Sequence, residues 1–194
     1  MTHPRGMSRP RGCARPGWEA FVRGGKRHVA GAQSQYWGQG FSPRGEKNRF
    51  VLPADFRQTV REASKGNRTL CLDKHAKHPC LVGFGESRAE SFAEMLAHEE
   101  RVAIERGEPF DIDLRAAQIA GFARISFDDS GRFVLPEYLG EQAQVGDELY
   151  FHGGMHQIMI WAPEVLFAMG PEWDSVKSAC RARMAEFSAK AARK

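Results

Sequence analysis

A chain of 194 residues with 42% hydrophobic and 10% aromatic side chains is long and apolar enough for one compact domain or two small packed units. No apolar run reaches 18 residues, which excludes a helical membrane span. The net charge of +4 sits in the first forty residues, where seven basic side chains (Arg5, Arg9, Arg11, Arg15, Arg23, Lys26, Arg27) face one acid, Glu19; residues 41–194 hold 21 basic and 23 acidic residues, so bulk basicity cannot make the folded body a nucleic-acid surface and a few placed arginines would have to.

Residues 1–34 are rich in Gly, Pro, Arg and Ser and carry no helical or strand period. They predict a disordered basic arm, or an extension from an upstream start with Met7 as the alternative. Lacking the continuous apolar stretch of a secretory signal, the chain is expected in the cytoplasm. From Gln35 the pattern changes. Residues 35–41 can begin a strand, Pro43, Gly45 and Asn48 punctuate a turn, and Arg49-Phe50-Val51-Leu52 reads as a short apolar strand. Pro53 suits a helix start, Phe56 and Val60 share one face of a helix over 54–63, and Gly66 closes it. Strands follow at 69–72 and 80–84, then a helix from about Ser87 to Arg106 and a second helical stretch over 110–121. A strand over 123–127, a turn over 128–131 and a strand over 132–135 come next, then a helical turn from Pro136. Glu148–Phe151 and Gln157–Trp161 flank a hairpin tip with Gly153-Gly154. Pro163 opens a short helix, and a last helix starts near Glu172.

The informative feature is a repeat: Arg-Phe-Val-Leu-Pro stands at 49–53 and again at 132–136. Each copy follows a polar turn, precedes a helical segment with an apolar residue three beyond the proline (Phe56, Leu139), and is followed by a hairpin-like pair of strands. The chain therefore reads as a duplicated β-turn-β-α-β-β unit.

This layout resembles the MraZ family, relatives of the AbrB/SpoVT swapped-hairpin DNA-binding domains. The family pattern is Asp-x-x-x-Arg followed by a strand and proline, once per half. The second half matches over Asp128-Asp129-Ser130-Gly131-Arg132-Phe133-Val134-Leu135-Pro136. The first reads Gly45-Glu46-Lys47-Asn48-Arg49-Phe50-Val51-Leu52-Pro53, with Gly45 in place of the leading aspartate and Asn48 in place of the turn glycine. Asn enters left-handed backbone more readily than most residues, so the second swap is tolerable. The resemblance spans about residues 35–170.

It implies a mixed α/β fold in which two tandem AbrB-like units, 35–106 and 107–170, form a pseudo-twofold β-barrel flanked by helices, with a C-terminal helix and tail over 171–194. It also implies a cytoplasmic, nucleoid-associated homo-oligomeric ring that binds direct repeats in promoter DNA and represses the division and cell-wall gene cluster containing its own gene. Arg49 and Arg132 would face the DNA, with Lys47 and Arg44 as phosphate contacts. Glu46, Asn48, Asp128, Asp129 and Gly131 would orient the two loops. The guanidinium chemistry agrees, since its donor fork matches phosphates and the two acceptors of a guanine edge.

Competing signals are weaker. Cys71-x3-His75-x2-His78-x-Cys80 holds four potential zinc ligands within ten residues, but its spacing matches no common zinc module. Buried thiols on neighbouring strands and surface histidines at a hairpin tip are the simpler reading. His152 and His156 bracket the other tip in the same way. No nucleophile elbow, phosphate-binding glycine loop or His-Glu-x-x-His is present, so no enzyme and no cofactor are expected. Two alternatives remain open: a ring-forming scaffold whose DNA binding has decayed, motivated by Gly45, and an antitoxin of the AbrB type.

Overall fold

The computed structural model describes residues 34–193; the basic arm expected over 1–34 lies outside them except for Ser34. Among these described residues, eight strands and six α-helices follow in chain order. β1 (Gln39–Pro43), β2 (Arg49–Val51), α1 (Ala54–Ala63), β3 (Thr69–Lys74) and β4 (Leu81–Phe84) come first. α2 (Phe92–Arg106) and α3 (Ile112–Ala120) lead to β5 (Ala123–Ser126), β6 (Arg132–Val134), α4 (Glu137–Gln142), β7 (Glu148–Gly153) and β8 (Ile158–Trp161). α5 (Pro163–Phe167) and α6 (Asp174–Ala191) complete the chain.

Six strands form an antiparallel sheet in the order β1-β7-β8-β4-β3-β5, while β2 and β6 pair separately. Exchanging β1 with β5, β3 with β7 and β4 with β8 turns this order into its own reverse. The registers obey the same exchange: Phe50 faces Phe133 at the centre of one ladder, and Val82 faces Met159 at the centre of another. β1 pairs with β7 and β5 with β3, so each outer strand completes the hairpin of the other half. The ladders are open, ending at β1 and β5. The barrel implied by the resemblance is thus not a closed hydrogen-bonded cylinder among the described residues.

Period-two alternation decides which side chains meet. Leu149, Phe151, Ile158 and Ile160 join Leu70, Leu72, Leu81, Phe50, Phe133, Phe56, Val60 and Leu139 in the main core beneath α1 and α4. Tyr150 and Trp161 point to the opposite face and pack with Cys80, Leu166 and Cys180 under α5 and α6. Each fully buried large aliphatic or aromatic side chain here stabilises the fold by about 1.5–3 kcal/mol relative to exposure.

α1 spans the residues its periodicity predicts, buries Phe56, Val60 and Ala63, and starts after Pro53 at φ −57°. The helix expected from Ser87 begins later: residues 86–91 form a 3-10 turn, and Ser91 Oγ bonds Arg88 O (2.8 Å) instead of capping α2. α2 is held by Phe92, which meets Phe84 and Phe122 edge-on. Arg115 of α3 clamps Glu99 of α2 with two bonds of 2.6 and 2.9 Å. No helix among the described residues is long and apolar enough to cross a membrane.

The cysteine–histidine stretch is a hairpin tip. Cys71 and Cys80 are fully buried, and desolvation pushes their thiols up to about 11 and about 12. His75 Nδ1 accepts the backbone N–H groups of Lys77 (3.0 Å) and His78 (3.1 Å). The two histidines, expected on the surface, are half-buried: the His78 ring packs edge-on against Trp173 at 4.9 Å, and the His75 ring lies 4.6 Å from that of His78.

Candidate nucleic-acid interface

The two Arg-Phe-Val segments are the β2/β6 ribbon itself. Both strands alternate exposed, buried, exposed. Phe50 and Phe133 point inward with ring centroids 6.3 Å apart. Arg49, Val51, Arg132 and Val134 therefore share the outer face, Arg49 opposite Val134 and Arg132 opposite Val51. The arginines lie at diagonal corners of a small, otherwise apolar platform. Among the described residues, neither guanidinium has an ion pair or a hydrogen bond. Two free donor forks at twofold-related positions are the arrangement that phosphates or guanine edges can use.

The turns feeding the ribbon are built alike. Asp128 N bonds Arg132 O (3.0 Å), and Gly45 N bonds Arg49 O (2.7 Å). Asn48 O accepts from Leu135 N (3.3 Å), and Gly131 O accepts from Leu52 N (2.7 Å), so each turn is tied to the opposite strand's exit. Asn48 (φ 56°) and Gly131 (φ 83°) both take the left-handed conformation, as the exchange of Asn for Gly requires. Lys47 joins them at φ 58°, with no signal in the sequence to announce it. At Gly131 a Cβ would stand 2.6 Å from Leu52 O and from the Arg57 side chain, so the position demands glycine for space as well as for conformation.

The turns differ in their side chains. Asp128 Oδ1 accepts the backbone N–H of Arg132 (2.9 Å), orienting the arginine through its main chain rather than its guanidinium. That bond, with help from the Ser130 N–H and the charges of Arg132 and Arg49, holds the Asp128 carboxyl below the ordinary aspartate range. Gly45 has no carboxylate to offer Arg49. Glu46 is exposed and makes no hydrogen bond or ion pair to a described residue. Bracing comes instead from Asn48 and Arg44. Asn48 Nδ2 donates to Leu135 O (2.8 Å), while Arg44 Nη1 donates to Asn48 Oδ1 (2.9 Å). Arg44 also donates to Val145 O and Gly146 O, pairs with Asp147 (3.5 Å) and lies over the Phe50 ring at 5.6 Å. Its guanidinium thus ties the first turn to the loop that precedes β7.

Arg57 and Arg68 brace the second turn, and sequence reasoning passed over both. Arg57 Nε donates to Leu52 O (2.9 Å) and Nη1 to Asp129 O (3.3 Å); Arg68 pairs with the Asp129 carboxylate at 2.6 Å. Their partners are distant in the chain, so no local motif marks them. Lys47 stands exposed at the first turn. Phe187 of α6 is a further unforeseen neighbour: it packs on Phe41 of β1 at 5.4 Å and, with Arg49, Val51 and Arg132, lines a cleft of about 470 Å³ beside the ribbon.

No protein-family model matches the chain. Among individual proteins it is 29% identical over 147 residues to the transcriptional regulator MraZ of Roseiflexus sp., covering 76% of this chain and 90% of that protein. It is 31% identical over 122 residues to the MraZ protein of Gluconobacter oxydans, covering 61% and 70% of the two chains. Against that of Parvibaculum lavamentivorans the identity is 31% over 127 residues, covering 65% and 74%. With relatives this similar over most of their length, and with both arginine turns present, the chain belongs to the MraZ family.

Proposed function

We propose that this protein is a DNA-binding transcriptional regulator that presents the β2/β6 ribbon to duplex DNA. The observation that carries the reading is the pair of unpartnered arginines, Arg49 and Arg132, on the exposed face of a two-stranded ribbon. The major groove, about 12 Å wide, admits such a ribbon, and each guanidinium can bind a guanine edge with two bonds. Lys47 adds a phosphate contact at the rim. Arg44 serves by holding the first turn, and Asn48, Asp128, Asp129 and Gly131 set the turns' shape. Relatives named as transcriptional regulators support the same class of function.

In this reading the units 35–106 and 107–170 are a duplication that acts as one pseudo-twofold barrel, with the ribbon across its end; the palindromic strand order supports it. The ribbon of one chain offers two arginines, so useful affinity requires several copies. A homo-oligomeric ring on direct repeats supplies them, multiplying weak contacts through effective concentration. Repression of the division and cell-wall cluster that includes its own gene is the corresponding role, at the nucleoid.

The test is fluorescence anisotropy with DNA from upstream of the protein's own gene and with random duplex, across a salt series. Wild type is expected to prefer the upstream DNA and to weaken as salt rises. Arg49→Ala/Arg132→Ala is expected to lose that preference. Equal binding of both duplexes by wild type, or an unchanged preference in the variant, would sink the reading and favour a ring-forming scaffold without specific DNA binding.

A further inference from the structure

α6 approaches the ribbon at one place. Cys180 and Met184 turn toward the small core beneath the helix, and one turn later Phe187 reaches Phe41 of β1 and the cleft shared with Arg49 and Arg132. Phe187 is 40% exposed, so it anchors the helix end at the rim of the platform rather than in the core. Beyond it the composition changes. The last eight residues, Phe187 to Lys194, hold three basic side chains and no acid. Lys190 follows Phe187 by three residues and therefore extends the same helix face. Arg193 lies in the turn that follows the helix, after its last residue, Ala191. Among the described residues neither has an ion-pair partner, whereas Arg183 earlier in the helix is paired with Glu186 at 2.8 Å.

We propose that the C-terminal end of α6 is a second DNA-contact site that binds the sugar-phosphate backbone beside the ribbon through Lys190 and Arg193. The inference rests on the ribbon reading. A ribbon in the major groove has a phosphate strand along each side, and a helix rises only about 5.4 Å per turn. A helix end anchored at the ribbon's rim thus brings Lys190, and Arg193 just beyond the helix, to one groove wall. Val51 and Phe187 line the cleft with Arg49 and Arg132, and Glu46 is the one acid among its lining residues. The site is one-sided. α6 packs against β1, and no helix of the described residues packs comparably against β5, so the two halves of the ribbon would meet unequal electrostatic surroundings.

The experiment compares the full chain, Lys190→Ala/Arg193→Ala, Phe187→Ser and Arg49→Ala/Arg132→Ala on upstream and random duplex DNA in a salt titration. Losing two phosphate contacts is expected to flatten the log–log salt dependence by about 1.8 for Lys190→Ala/Arg193→Ala. The preference for upstream over random DNA should stay as in wild type, because phosphates carry no sequence information. Alanine favours helix, so this variant keeps its fold. Phe187→Ser keeps both charges but loses the anchor, and its slope should flatten in the same direction. An unchanged slope in Lys190→Ala/Arg193→Ala, with Arg49→Ala/Arg132→Ala still losing specificity, overturns the tail contact and leaves the ribbon reading standing. A flattened slope with Arg49→Ala/Arg132→Ala behaving as wild type removes the ribbon from the interface and overturns the proposed arrangement around it.

Discussion

At the scale of single residues, the two arginine turns differ by one carboxylate. Asp128 holds the Arg132 main chain, and the matching position, Gly45, leaves the Arg49 N–H without that acceptor. Gly45 has φ −92°, ψ −175°, and a Cβ there meets nothing closer than Arg49 O at 3.4 Å, so an aspartate fits. Gly45→Asp is expected to raise stability by about 0.5–1.5 kcal/mol, the usual worth of one added hydrogen bond, read as a higher urea midpoint at neutral pH. A lower or unchanged midpoint would show that the turns are not equivalent. Acid reports on the native carboxylate. Because its folded pKa is depressed, Asp128 contributes stability fully above its unfolded value of about 3.9 and loses it as pH falls from there through the folded pKa. The urea-midpoint gap between wild type and Asp128→Ala should therefore be present at pH 6 and shrink at pH 3.

At the scale of elements, the ribbon is too short to hold itself: each strand has three residues, and its anchor is the Phe50–Phe133 pair beneath. Phe133→Ala is expected to cost about 3–5 kcal/mol, measured by urea unfolding. A cost below about 1 kcal/mol would place the ribbon's stability in its backbone ladder instead. Much at this scale was legible in the chain itself. Phe56 and Val60 at helical spacing after Pro53 set α1, and alternation around Gly153-Gly154 marked the β7–β8 hairpin. The repeated pentapeptide marked the two paired strands that carry Arg49 and Arg132. Local signals could not reveal partners far away in sequence. Arg44 reads as a free cation on a polar turn, yet it binds carbonyls 101 and 102 residues on. The docking of Phe187 on Phe41, about three-quarters of the chain apart, leaves no periodicity to read. Ser87 suggested a helix start, yet the chain spends residues 86–91 in a 3-10 turn, at whose end Ser91 Oγ donates back to Arg88 O.

At the scale of the whole molecule, exposed apolar side chains gather where α2 ends and α3 begins: Ile104 is 70% exposed, Leu114 57% and Ile112 39%. Single exposed aliphatics are ordinary, but three around one helical corner suit a contact between copies. Ile104→Asp/Leu114→Asp is expected to lower the oligomeric mass measured by light scattering without altering the circular dichroism. A wild type that is monomeric, or a variant with unchanged mass, would remove this corner from any assembly surface. The strand exchange has a different consequence, one of timing. Between residues 34 and 106 the only ladder formed internally is β3 with β4. β1 waits for β7 and β2 for β6, each pairing across at least 80 residues of intervening chain. A nascent chain leaving the ribosome thus holds an uncompleted sheet until β7 and β8 have emerged, and contacts of such long range form slowly. Throughout that interval the waiting edges can accept the missing strands from any neighbouring chain of the same sequence, so dilution and chaperone shielding during synthesis decide whether the molecule closes on itself.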